Sequence, residues 1–127
     1  MEKYHFAFDR SKNKDKSIRT FLKKYKNYSP HAANVIIVLG GDGFMLQTLK
    51  KYQKYNKPFY GINRGTFGFL MNKLKNYNIY KNISKAKVVF ISPLKMNALT
   101  SKNKKISAIA INEVSLLRQS RQTAYLQ

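Results

Sequence analysis

The chain has 127 residues, 43% of them hydrophobic, enough for one domain of ordinary size with a real core. It carries 25 Lys and Arg against 5 Asp and Glu, a formal net charge of +20, and no cysteine. A disulfide framework and a thiolate metal site are therefore excluded, and the scattered His5 and His31 do not make a zinc site. No apolar run approaches the ~20 residues of a membrane span, and the N-terminus lacks the apolar stretch of a signal peptide. No membrane partner and a cytoplasmic, reducing address are expected.

Such a charge attracts polyanions. The lysines, however, are spread along most of the chain among many Asn, Tyr and Ile residues, which reads as compositional drift. An Arg-rich tract and RNP-like aromatic motifs are missing, so nucleic acid is not an expected partner. The acids are more informative. Beyond Lys16 only Asp42 and Glu113 occur, one inside a glycine-rich turn and one directly after a strand-like run.

In chain order, Tyr4 to Asp9 alternates polar and apolar residues as a first strand does. Ile18, Phe21, Leu22 and Tyr25 then mark one apolar face of a helix from about residue 14 to 27, stopped by Ser29-Pro30. Val35 to Leu39 is a continuous β-branched run, the mark of a buried parallel strand. Gly40-Gly41-Asp42-Gly43 follows at once, and Met45, Leu46, Leu49 and Tyr52 return to helical spacing. Asn56-Lys57-Pro58 ends that helix, and Phe59 to Ile62 is the next strand. Residues 73–85 read as a short helix with polar loops. Val88 to Ile91 and Leu94 to Ala98 read as a strand broken near Pro93. Ser101 to Lys105 is a turn, Ile106 to Ile111 a strand, and Val114 to Leu117 an extended continuation. The order implies an α/β fold with a mostly parallel sheet and flanking helices, followed by the first strands of an incomplete all-β domain. The expected division is residues 1–95 and 96–127.

Three sites carry chemistry. At Gly40-Gly41-Asp42-Gly43 a strand turns sharply into a helix, whose free N–H groups and dipole favour a phosphate. The glycines let the backbone approach the oxygens and adopt positive φ. Asp42 would repel a phosphate, so it suits deprotonation of a hydroxyl or a share in holding Mg²⁺. The plain alternative is an Asp stabilising a helix start. The second site, Gly61 to Leu70, has three glycines after a strand, where ligands sit in open α/β sheets. Arg64 suits a phosphate and Phe69 a base, against an ordinary glycine turn with Phe67 and Phe69 in the core. The third, Asn112-Glu113, suits a ribose diol, against a simple strand-end cap.

Together, Leu39-Gly40-Gly41-Asp42-Gly43-Phe44-Met45-Leu46, Gly61-Ile62-Asn63-Arg64-Gly65-Thr66-Phe67-Gly68-Phe69-Leu70 and Asn112-Glu113 resemble the motifs of NAD kinases in order and approximate spacing. The resemblance implies phosphoryl transfer from ATP, with Mg²⁺ or another divalent cation, to the 2′-hydroxyl of the adenosine ribose of NAD. It makes Asp42 the catalytic base, with Gly40, Gly41 and Gly43 beside the nucleotide. Phe69 would line the NAD pocket, and Asn112 and Glu113 would bind NAD. It also implies a homo-oligomer for a full-length member and a second β domain with G-D-G and G-S-T-A-Y segments. Neither precedes Gln127, and Thr123-Ala124-Tyr125 lacks the preceding Gly-Ser, so a fragment is expected, whose activity alone is open. The alternatives are a diacylglycerol-type lipid kinase sharing the G-G-D-G loop and a nonenzymatic basic nucleotide- or nucleic-acid-binding module.

Overall fold

A computed structural model of the chain describes residues 2–9, 16–64, 68–74 and 78–115. The chain divides into two units, Met1–Val88 and Val89–Gln127.

The first unit is built on three parallel strands, β1 (Tyr4–Phe8), β2 (Val35–Gly40) and β3 (Phe59–Asn63), in that spatial order. Helix α1 (Lys16–Lys24) connects β1 to β2, and α2 (Asp42–Tyr52), with a 3₁₀ turn at Gln53–Tyr55, connects β2 to β3. Helix α3 (Ile79–Ser84) comes last, its start capped by the Asn78 side chain accepting from Lys81 N–H.

The central strand explains the continuous apolar run. β2 has a partner on each side, pairing with β1 from Tyr4↔Val35 to Phe8↔Leu39 and with β3 from Ile36↔Phe59 to Gly40↔Asn63. Each of its residues is buried. Side chains alternate across a strand, so Val35, Ile37 and Leu39 enter one core with Ile18 and Phe21 of α1, Ile62, and Ile79 of α3. Ile36 and Val38 enter the other, with Met45, Phe44, Leu49 and Tyr52 of α2. Apolar residues are thus required at consecutive positions. Each such side chain contributes about 1.5–3 kcal/mol on burial.

Local differences from the periodicity have physical causes. On α1, Ile18 and Phe21 are buried and Tyr25 packs against them just past the helix, while Leu22 lies at the edge of that face and is exposed. Asn56 follows the 3₁₀ turn in the left-handed region at φ 49°, and so ends the helical run before Pro58. Phe6, Phe21 and Tyr25 form a run of contacting rings, and Tyr4 meets Tyr80 edge-on at 5.3 Å between centroids. Tyr4, only 2% exposed, donates its hydroxyl to Glu2 Oε2 at 2.7 Å. Burial first, and then that bond, raise the Tyr4 hydroxyl pKa well above the usual tyrosine range. Burial alone also raises that of Tyr60.

In the second unit β4 (Leu94–Leu99) and β5 (Lys105–Ala110) form an antiparallel pair in register from Leu94↔Ala110 to Leu99↔Lys105. The turn is closed by Thr100 N–H donating to Lys104 O (3.0 Å) and by Asn103 at φ 57°. Val88 to Ile91 is not a strand; it has no regular structure, and its side chains are exposed. No strand pairs with it among the described residues, and without a partner its backbone has no ladder to join. The division between the units precedes residue 95, because Leu94–Leu99 is a single strand. Residues 116–117, the end of the expected extension after Val114, lie outside the described residues.

Candidate functional site: two glycine loops joined by an aspartate

The carboxyl ends of β2 and β3 lie side by side, since the strands are parallel neighbours. Both glycine-rich sequences begin there. Arg64 N–H donates to Gly40 O at 2.8 Å, extending the ladder past the end of the sheet and tying the two loops together.

The first loop is tighter than its glycines suggest. Gly40 is the last residue of β2, Gly41 caps α2, and Asp42 and Gly43 already belong to the helix. Gly41 is extended, at φ −107° and ψ −177°, and among the described residues no glycine has positive φ. The positive φ that these glycines allow is therefore not used. Gly40 is required by close approach instead, because a Cβ there would stand 2.7 Å from Phe44 Cδ1. At Gly41 and Gly43 a Cβ would meet no protein atom within 4 Å. These two face open space beside the first turn of α2, where helix N–H groups lack intrahelical acceptors.

Asp42 does more than favour the helix start. Its side chain crosses to the second loop, where Oδ2 accepts from Phe69 N–H at 2.7 Å and Oδ1 from Leu70 N–H at 3.0 Å. Asp42 is half-buried, whereas the Phe69 side chain is 99% exposed and so does not join the core. Gly65, Thr66 and Phe67 lie outside the described residues.

The far end of the second loop is fixed by Asn72, which lies just beyond the glycine-rich sequence and which nothing in that motif singles out. Its N–H and its side-chain amide both donate to Gly61 O, at 2.9 and 3.0 Å, and its carbonyl accepts from Asn63 N–H at 2.9 Å. Gly61 leaves room for two methionines here. A Cβ on it would lie 2.6 Å from Met71 Sδ and 2.9 Å from Met45 Cε.

Asn112 and Glu113 follow β5 in the second unit, both exposed. The structure therefore unites Gly40, Gly41, Asp42, Gly43 and Phe69 in the first unit and places the Asn-Glu pair in the other. Two cavities in the first unit, of about 420 and 250 Å³, share Glu2, Asn78 and Tyr80 as lining. They lie by the start of β1, away from the glycine loops. His5 is a packing residue, with Nδ1 2.8 Å from Tyr28 O and its ring edge-on to Tyr52.

The donor set does not fit a metal ion held by this chain. A lone carboxylate is a poor cage for a divalent cation, and no group of three or more His, Asp or Glu comes together among the described residues. No helix among them is long and apolar enough to cross a membrane.

Comparison with known proteins agrees with these motifs. Residues 1–87 match the family model described as the ATP-NAD kinase N-terminal domain. The chain is 44% identical over 111 residues to an NAD kinase of Mesorhizobium japonicum, covering 87% of this chain and 43% of the relative. It is 46% identical over 104 residues to an NAD kinase of Caulobacter vibrioides, covering 82% and 40% respectively. Against an NAD kinase of Brucella suis biovar 1 the identity is 40% over 123 residues, covering 97% and 48%. The chain spans less than half the length of these relatives. With a parallel sheet that ends in two linked glycine loops and a matching family model over most of its length, the chain belongs to the ATP-NAD kinase family.

Proposed function

We propose that this chain supplies the phosphate-loop part of an NAD kinase, which transfers the γ-phosphoryl group of ATP to the adenosine-ribose 2′-hydroxyl of NAD. The observation that carries the reading is the placement of Asp42. It is an acid on the first turn of α2, at the carboxyl end of a parallel sheet, flanked by two glycines that face open space. Ligands of open α/β sheets sit at this end.

In this reading the 2′-hydroxyl gives its proton to Asp42 as its oxygen forms a bond to the γ-phosphorus. The bond from that phosphorus to the β,γ-bridging oxygen breaks, and ADP leaves. Each carboxylate oxygen uses one acceptor position on an amide and keeps another for the hydroxyl. The backbone N–H groups at Gly41 to Gly43 face the phosphate, and alignment supplies much of the rate. Mg²⁺ would arrive on the oxygens of the nucleotide, where it neutralises the transferring charge. Phe69 would lie against the NAD pocket, with Asn112 and Glu113 binding NAD. The second unit would begin a separate β-rich domain, and the whole protein would be a cytoplasmic homo-oligomer.

The test is NADP formation from NAD, ATP and Mg²⁺ by the protein carrying this chain, with diacylglycerol as the rival acceptor. Phosphorylation of NAD supports the reading; phosphorylation of the lipid alone overturns it. In the same protein Asp42→Asn should lower turnover about 10²–10⁴-fold, the usual worth of a general base. Turnover near that of the parent would remove Asp42 from the base role.

A further inference from the structure

Asp42 is paired in a way that its expected chemistry does not require. A general base needs one free lone pair near a hydroxyl. This carboxylate spends one acceptor position of each oxygen on consecutive backbone amides, those of Phe69 and Leu70, at 2.7 and 3.0 Å. The bonds join positions far apart in sequence, between the first turn of α2 and the segment after Gly68. Two consecutive N–H groups on the two oxygens of one carboxylate form a fork that fixes rotation about the side chain as well as distance. Charge-assisted bonds of this kind are among the stronger ones available to a side chain.

The surroundings show why such a clamp is needed. Phe69 and Leu70 are exposed, and the Phe69 side chain has almost no protein contact to hold it. Packing does not anchor the Phe69 side chain, as it does Met71 beneath Gly61. Asn72 fixes the segment on its other side through Gly61 and Asn63. Between Asn72 and the helix, the Asp42 fork is the side-chain link to the Phe69–Leu70 backbone seen among the described residues.

We infer that Asp42 is also a positioning residue: its ionised carboxylate pins the Phe69 and Leu70 amides to the start of α2, and so sets the place of the exposed Phe69 ring relative to the phosphate loop. This role concerns the chain by itself and stands independently of the kinase reading. It follows that substitutions at Asp42 change two things together, the acid and the location of its neighbouring aromatic. Asn keeps one acceptor and presents an amide donor to the second N–H, so one bond of the fork survives. Ala keeps neither.

The experiment is NMR on the 127-residue chain. The backbone amide protons are followed in the parent, in Asp42→Asn and in Asp42→Ala. The Phe69 and Leu70 amide protons should move upfield in Asp42→Ala, because both bonds are lost. Amides of Ile37 and Val38 in the middle of β2 serve as the fold control. Solvent exchange and backbone mobility at Phe69 and Leu70 should then rise in the order parent, Asp42→Asn, Asp42→Ala, with exchange about tenfold faster in the last while β2 stays protected. Phe69 and Leu70 amide shifts unchanged in Asp42→Ala would overturn the proposal. So would equal exchange and mobility at these amides in the parent and in Asp42→Ala. Neither readout uses phosphoryl transfer, so failure of the clamp and failure of the kinase reading are separate results.

Discussion

Gly61 and Met71 are so close that a Cβ on the glycine would overlap the methionine sulfur, at 2.6 Å. The glycine sits in β3 without a positive φ, so crowding and not backbone conformation is what sets it apart. Met45 of α2 presses from the same side at 2.9 Å. Gly61→Ala should therefore destabilise the first unit by about 1–3 kcal/mol, the usual cost of overpacking. Urea unfolding followed by circular dichroism measures it. A midpoint unchanged from the parent would mean that both methionines can swing away.

Gly43 presents the opposite case. It lies in the first turn of α2 with no protein atom near a would-be Cβ. Gly43→Ala should stabilise the helix by about 0.5–1 kcal/mol, raising Tm by a few degrees. The new methyl would occupy the open space that a phosphate is proposed to use, so ATP affinity should fall at least tenfold in calorimetric titration. A stabilised protein with unchanged ATP affinity would exclude that space as the phosphate site.

Tyr4 links stability to alkaline pH. Its pKa is raised in the folded chain, by burial and then by the bond to Glu2, above its value near 10 in an unfolded chain. The folded state holds the proton more tightly. The stabilisation is therefore full below pH 10 and is lost as pH rises through the folded value, at about 1.4 kcal/mol per pH unit per tyrosine. Tyr60 shifts in the same direction through burial. Tyr4→Phe should flatten the decline in stability above pH 10, measured by chemical denaturation at stepped pH. An unaltered slope would show that Tyr4 does not carry the linkage.

Much of the first unit was legible because its signals are local. The β-branched run Val35 to Leu39 needs burial on both faces, and the sheet supplies it with a strand at each side and helices on both faces. The glycine-rich stretches also fell where a parallel sheet puts its loops. Three things could not be read. The glycines look like positions of unusual backbone, but Gly40 and Gly61 answer to side chains distant in sequence or one turn away, Phe44 and Met71. Asp42 reads as a hydroxyl base, a share in holding Mg²⁺ or a helix-start acid, and its fork to Phe69 and Leu70 depends on a return of the chain that no spacing encodes. Val88 to Ile91 has strand composition, but a strand also needs a neighbour, which periodicity cannot supply.

The β4–β5 ribbon has a consequence for handling the protein. Leu94, Leu99, Ile106 and Ile109 are all exposed on it, and each strand is paired on one side only among the described residues. Mutual repulsion between molecules of net charge +20 keeps such surfaces apart in dilute buffer. Added salt shortens the reach of that repulsion to about 10 Å at 0.1 M. Colloidal stability should thus decline with ionic strength, so that light scattering rises on adding sodium chloride where most basic proteins held back by salt-sensitive polyanion contacts would clear.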